Sequence, residues 1–270
     1  ATRTELPTLV RIHGVWGLGQ MAADEGLSIL EPLFDLLSDS NEQVRIQSAR
    51  VLGDLRVAKS ADLLVKALRD EHPRVAMYAG IGLGRIGHAP AVTELYSLID
   101  RNQDQDLWLR HGAIMGLVGI EKSNWEHGIK DDSKYVRMAA LLALRKLRDP
   151  QIAEFLQDPE KSLAYEAIRA INDLPLLSVE GELAGMIGYF LPGGVGEIPE
   201  TDVDAFMHHR IINANYYQAK KENARALLNY AANAKLPARL RREALAAIEG
   251  WNDQNPIDTT TGLPRDNPAV

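Results

Sequence analysis

The chain has no cysteine. Disulfides, thiolate zinc sites, haem attachment and cysteine nucleophiles are therefore excluded, and the redox compartment is left open. Aromatic residues make up only 6%. With alanine and leucine abundant, that composition favours helices packed on helices over a strand-rich core. No apolar run approaches the roughly 20 residues that cross a bilayer, the longest being Leu183 to Leu191. An excess of basic charge is also missing: the 270 residues carry a formal net charge of -7. Lysine and arginine are scattered singly or in pairs, densest at Arg239, Arg241 and Arg242. Duplex binding draws most of its affinity from phosphate neutralisation, so nucleic acid is not the expected partner. Neither a start methionine nor a charged-then-apolar leader precedes the first helix, so the chain reads as a piece of a longer one.

What is present is a repeat. Apolar anchors stand at Val10, Val44, Val75, Leu109, Val136, Leu163, Phe206 and Leu240. Eight residues after each stand Leu18, Leu52, Leu83, Leu117, Leu144, Ile171, Ala214 and Ile248. Eleven after each stand Met21, Leu55, Ile86, Ile120, Leu147, Leu174, Tyr217 and Trp251. Four after each comes a small residue (Gly14, Ser48, Ala79, Ala113, Ala140, Ala167 and Ala244), with Arg210 the one departure. Offsets of 4, 8 and 11 share one helical face with the anchor. The anchors lie 34, 31, 34, 27, 27, 43 and 34 residues apart, around the length of a two-helix repeat. Between them run second amphipathic segments, such as Leu30 to Leu37, Ala61 to Leu68, Val92 to Ile99 and Ala224 to Tyr230.

Turn residues agree with that register. Asp39-Ser40-Asn41, Asp70, Asp104 with Asp106, and Asp131-Asp132 precede successive anchors, where they can cap helix N-termini. Arg45, Arg110, Arg137 and Arg241 follow their anchors directly, and Arg74 sits one place early. This arrangement resembles the HEAT-repeat family over residues 5 to 250. The resemblance implies a ladder of polar contacts between repeats. The expected fold is an all-α HEAT/armadillo-type solenoid of about eight hairpins over residues 1–253. Its first hairpin is incomplete, an insertion falls near 173–205, and residues 254–270 read as an irregular linker.

Gly82-Leu83-Gly84-Arg85-Ile86-Gly87 spells a dinucleotide fingerprint, but such a motif needs a preceding strand. Here the register places these glycines near a helix end, with Gly87 as its stop. Pro192-Gly193-Gly194-Val195-Gly196 lacks the Lys-Ser/Thr ending of a phosphate loop and reads as part of the insertion. His208 and His209 point about 100° apart on a helix and have no partner ligand three or four residues on. No catalytic set, cofactor site or metal site emerges.

The informative surface is the helix face at offsets 3, 6 and 10 from the anchors. It carries His13, Trp16, Gln20, Gln47, Arg50, Asp54, Tyr78, Arg85, Glu166, Arg169, His209 and Tyr216. Such a face is either solvated or a partner surface, and its aromatics lean toward a partner.

The C-terminal third is more distinctive. Ala167-Ile168-Arg169-Ala170-Ile171-Asn172-Asp173-Leu174-Pro175, Arg210-Ile211-Ile212-Asn213-Ala214-Asn215-Tyr216, Glu222-Asn223-Ala224, Arg241-Arg242-Glu243-Ala244-Leu245, Trp251, Asp258 and Gly262 to Arg265 stand out. With His13-Gly14-Val15-Trp16-Gly17-Leu18-Gly19-Gln20, they are similar to the HEAT module of large bacterial membrane-bound dehydrogenases. That resemblance implies a neighbouring sugar-dehydrogenase-like propeller, a cytochrome c domain and a periplasmic or cell-envelope setting. The expectation is a scaffold without activity of its own, docking proteins or neighbouring domains of the same polypeptide and not inserting into a membrane. The alternatives are a stand-alone protein-binding scaffold and a HEAT-type nucleic-acid enzyme. Arg210, Asn213 and Asn215 interrupt the repeat pattern; they bond backbone groups around the insertion, replacing ladder contacts, or dock a neighbouring domain.

Overall fold

The computed structural model describes residues 1–120, 125–191, 193–194, 196, 202–252 and 255–265, with the backbone alone at 202–204. Its helices form an α-solenoid of hairpins, and an isolated antiparallel bridge joins Ile257 to Pro264. Among the described residues no helix is long and apolar enough to cross a membrane. Where sequence suggests one continuous solenoid, contacts divide the chain into two compact units, Ala1–Leu147 and Arg148–Val270. The division falls after the Val136 helix, and a 3-10 helix, Pro150–Gln157, stands before the next anchor helix.

In the first unit the anchor helices are α1 (Thr8–Glu25), α3 (Glu42–Asp54), α5 (Pro73–Ile86), α7 (Leu107–Gly119) and α9 (Lys134–Leu147). Each packs on the next in sequence. Four shorter helices, α2 (Pro32–Leu36), α4 (Ala61–Ala67), α6 (Val92–Asn102) and α8 (Trp125–Lys130), each complete a hairpin with the anchor helix that follows. Anchors Val44, Val75 and Val136 are buried with Leu52, Leu83, Leu117 and Leu144, as a helical stripe facing a core requires. Helix α1 departs from the register by one residue: Val10 is 50% exposed, and Arg11, Val15 and Ala22 are buried instead. Arg11 turns inward to a carboxylate of the next repeat.

That contact begins a short ladder. Arg11 Nη1 donates to Asp39 Oδ1 at 3.0 Å, and Nη2 contacts Oδ2. Arg45 repeats the pattern on Asp70 at 2.7 and 2.9 Å, and its Nη1 reaches back to the Asp39 carbonyl at 2.9 Å. Capping falls to other residues: Asn41 Oδ1 accepts from Gln43 N, and Asp106 Oδ1 from Trp108 N and Leu109 N. Asp39, two residues before the Asn41 cap, is thereby available to Arg11. The Arg11 guanidinium holds the Asp39 carboxyl below its ordinary 3.8, against the upward push of burial. The stability this supplies is present above about pH 4 and lost as pH falls through the lower folded value. Urea-unfolding midpoints measured on acidification below that point should fall more steeply for the wild type than for Asp39→Asn. Equal slopes would contradict the assignment.

Glycines set the spacing of the central helices. A Cβ on Gly53 would lie 2.6 Å from the Gly82 Cα, and one on Gly84 2.5 Å from the Met115 carbonyl oxygen. Gly80 meets the Gly112 carbonyl in the same way at 2.9 Å. Backbones of α3, α5 and α7 thus touch without an intervening side-chain layer. Gly87 ends α5 at φ 75°, with its own N–H and that of His88 returning to the Leu83 carbonyl.

The second unit packs the 3-10 helix on α10 (Lys161–Asp173), α11 (Glu180–Gly185) on α12 (Asp202–Gln218), and α13 (Lys221–Ala232) on α14 (Ala238–Glu249). The insertion is therefore partly helical: α11 and a 3-10 turn, Met186–Phe190, bury Leu183, Ala184, Ile187 and Phe190. Residues 255–265 differ from the expected linker. They form a packed strap because two of their charged side chains, Asp258 and Arg265, are buried among polar partners. Asp258 Oδ1 accepts from Thr260 N and Thr261 N, and Oδ2 accepts from Asn213 Nδ2 and Arg265 Nη1, each at 2.8 Å. Arg265 also pairs with buried Glu180 and lies over the Tyr217 ring at 4.2 Å. Burial pushes its pKa down to about 10, still far above neutrality, so the guanidinium is charged. Residues 266–270 lie outside the described residues.

Candidate functional site

Helical arithmetic places the surface residues. In the first unit, Trp16 and Gln20 of α1 meet Arg50 and Asp54 of α3 across a groove of about 320 Å³, with Gly19, Val51 and Leu55 beneath. Trp16 is 39% exposed, and its indole Nε1 donates to Gln47 Oε1 at 2.9 Å. His13 stands edge-on to Trp16 at 5.1 Å. The Asp54 carboxylate joins Arg85 of α5 in an ion pair and lies 3.6 Å from Arg50, whose guanidinium sits 5.9 Å from the Tyr78 ring centre. Eight of the residues expected on this face are thus brought together. Gln47 is the exception to exposure: at 9% it is a buried brace for Trp16, because its carboxamide is the indole's acceptor.

In the second unit Glu166 and Arg169 pair with each other at 3.6 Å. His209 and Tyr216 line a different feature, a cavity of about 510 Å³ between α12, α14 and the strap. Tyr216 is not a surface residue; it is 8% exposed, since its hydroxyl donates to the Gly250 carbonyl and accepts from Asn255 N. Its ring forms one wall. His209 Nδ1 lies 2.6 Å from Glu243 Oε2. The opposite wall, Glu243, Ala246 and Gly250, is not among the residues expected on this face. The signal was available: these residues stand 3, 6 and 10 after the anchor Leu240, as His209, Ile212 and Tyr216 stand after Phe206.

The other motifs resolve as structure. Gly82 and Gly84 lie inside α5, where their close packing explains them. In the glycine-rich loop Pro192 and Val195 lie outside the described residues. The N–H groups of Gly194 and Gly196 donate to the Leu191 and Tyr189 carbonyls and are spent for a phosphate. His208 is buried against Phe190 and within 2.7 Å of the Tyr230 hydroxyl, away from His209's partner. Among the described residues no group of three potential metal ligands occurs. Arg210 pairs doubly with Asp173 at 2.8 and 2.9 Å. Asn213 bridges Asn172 and Asp258, and Asn215 donates to the Ala184 and Ile211 carbonyls. Of the three, Asn215 bonds backbone groups as expected, whereas the main partners of Arg210 and Asn213 are side chains, one of them in the strap.

Comparison with known proteins places the repeat. Residues 2–76 and 30–118 match the HEAT repeats family, and residues 136–158 match the PBS lyase HEAT-like repeat. Those segments are similar to HEAT-type repeats. No curated protein matches the chain. Solved structures that align with it include the complex of CpcE and CpcF of phycocyanin lyase from Nostoc sp., at 17% identity over 82% of this chain and 94% of that one, with a TM-score of 0.38. The Escherichia coli protein YibA aligns at 16% identity over 92% of this chain and 99% of its own, with a TM-score of 0.40. Human deoxyhypusine hydroxylase aligns at 18% identity over 92% and 99%, with a TM-score of 0.32. The expectation that the chain has no enzymatic activity is corrected here. A lyase and a hydroxylase stand among its structural neighbours, so a helical-repeat fold is no ground for denying catalysis. Likeness at these scores assigns neither activity to this chain. Neither family match, nor any of the three structures just named, is a dehydrogenase.

Proposed function

We propose that this chain is a protein-binding HEAT-repeat scaffold whose docking surface is the groove on α1, α3 and α5. The observation that carries the reading is the convergence of Trp16, Gln20, Arg50 and Asp54 on one groove, with Arg85 and Tyr78 tied to its edge. A half-exposed tryptophan braced by a buried glutamine is a rigid anchor that loses little entropy when covered. Two arginines against one aspartate leave the groove with local positive charge on a chain of net charge -7. The fitting partner is a segment that sets an apolar side chain on Trp16 beside a carboxylate facing Arg50 and Arg85. A finer version, resting on the sequence resemblance alone, makes the scaffold one section of a bacterial dehydrogenase between its oxidising and electron-accepting domains.

Selection of a random displayed peptide library on the full chain tests the docking surface. Peptides pairing Asp or Glu with Phe, Trp or Leu should be enriched, and Trp16→Ala or Arg50→Glu should each weaken their binding about 10-fold or more. Enrichment of basic peptides, or binding indifferent to both substitutions, would refute the reading.

A further inference from the structure

The cavity of the second unit is a separate site, and its chemistry is specific enough to name a ligand class. Two helices face one another with the same spacing. His209, Asn213 and Tyr216 come from α12, Glu243 and Ala247 from α14, and Gly250 from the turn that ends it. Small residues on the α14 side leave a space of about 510 Å³, within the usual range for small-ligand pockets.

Hydrogen-bond accounting fixes what the walls offer. A carboxylate only accepts, so His209 Nδ1, 2.6 Å from Glu243 Oε2, carries the proton. With Nδ1 so engaged, Glu243 Oε1 is left for water or ligand. The Asn213 amide is oriented by its neighbours: Nδ2 donates to both Asn172 Oδ1 and Asp258 Oδ2, which spends its two hydrogens. Its carboxamide oxygen remains as an acceptor at the cavity wall. The Tyr216 hydroxyl is spent on Gly250 O and Asn255 N. Among the described residues no lysine or arginine lines the space, and its sole carboxylate is Glu243. Ile212, Ala246, Ala247 and the Tyr216 ring supply an apolar surround.

A space that offers a carboxylate, a further acceptor and no cation, beside apolar walls, complements a donor-rich cation on a short alkyl stem. We infer that this cavity binds a primary alkylammonium group, with the ammonium at Glu243 and the alkyl chain along Ala247 and Tyr216. The same chemistry is carried by a free amine and by a lysine side chain of a partner protein.

Titration of the isotopically labelled full chain followed by amide NMR tests the inference with three probes: n-butylammonium, N-acetyl-lysine methylamide and the opposite-charge isostere n-pentanoate. Butylammonium should shift resonances of α12 and α14 around His209 and Glu243, with a dissociation constant of about a millimolar for so small a ligand. Pentanoate should not. If the lysine derivative shifts the same resonances, a protein side chain can be the natural occupant; if it does not, the free amine is. Glu243→Gln should weaken butylammonium binding about 10-fold. Ala247→Leu, which fills the space without changing charge, should abolish it. Absence of shifts with both amines, equal response to pentanoate, or unchanged affinity in Ala247→Leu would overturn the inference.

Discussion

Gly84→Val destabilises the first unit by about 3 kcal/mol, the upper part of the range for overpacking a close-packed interior. The Cβ of the new side chain would fall 2.5 Å from the Met115 carbonyl oxygen and 2.9 Å from both the Cα and the oxygen of Gly116. These are backbone atoms of α7, so no rotamer change relieves the clash and the two helices must separate. Separation also opens the neighbouring contact of Gly80 with Gly112. Gly87→Ala is the control: no atom lies within 4 Å of its Cβ, and only the left-handed φ of 75° is penalised. Its cost should be about 1 kcal/mol. Tryptophan fluorescence during urea unfolding reads the difference, because Trp16, Trp108 and Trp125 all belong to this unit. A midpoint for Gly84→Val no lower than that of Gly87→Ala would mean that the helices do not approach as described.

Arg265→Met should cost the second unit about 3–5 kcal/mol, the range for removing one partner from a buried ion pair. Glu180 and Asp258 are each only 2% exposed, and the guanidinium between them is their shared cation. Without it, two carboxylates are left desolvated and repelling. A second change distinguishes this cause from simple loss of packing. Glu180→Leu added to Arg265→Met removes one stranded charge and should restore a large part of the lost stability. Thermal unfolding by circular dichroism, together with limited proteolysis of residues 255–265, provides the two readouts. If the double variant is no more stable than the single one, the electrostatic account fails.

Much of the solenoid was legible because burial has a period. Val44, Val75, Leu83, Leu117 and Leu144 repeat at offsets that a helix turns into a stripe, and the structure buries all of them. The offset-11 position was less informative. Met21 and Leu147 are exposed there, since a stripe drifting around the helix leaves the core by its last turn. Aspartates before the anchors were legible as turn residues, but their division of labour was not. Whether Asp39 caps a helix or pairs with Arg11 depends on where the preceding repeat places its arginine, a distance of 28 residues in sequence.

The face at offsets 3, 6 and 10 was readable for α1, α3 and α5, where Trp16, Arg50 and Tyr78 announce themselves by type. On α14 the same offsets hold Glu243, Ala246 and Gly250, and the two small residues hide a wall whose role is to leave space. Asp258 and Arg265 are marked only by the family resemblance, which says nothing of their burial. Their segment has no period, and only the approach of Asn213 and Glu180 makes their charges structural.

The glycine contacts among α3, α5 and α7 bear on elasticity. A helical stack flexes when neighbouring repeats slide or splay, and side chains that can change rotamer act as the compliant layer between them. Where Gly53 meets Gly82 and Gly84 meets Gly116, backbone rests on backbone and that layer is missing. Bending of the first unit is therefore borne by its flanking interfaces, α1 on α3 and α7 on α9. The groove beside Trp16, built across the first of these, lies on a joint of the stack.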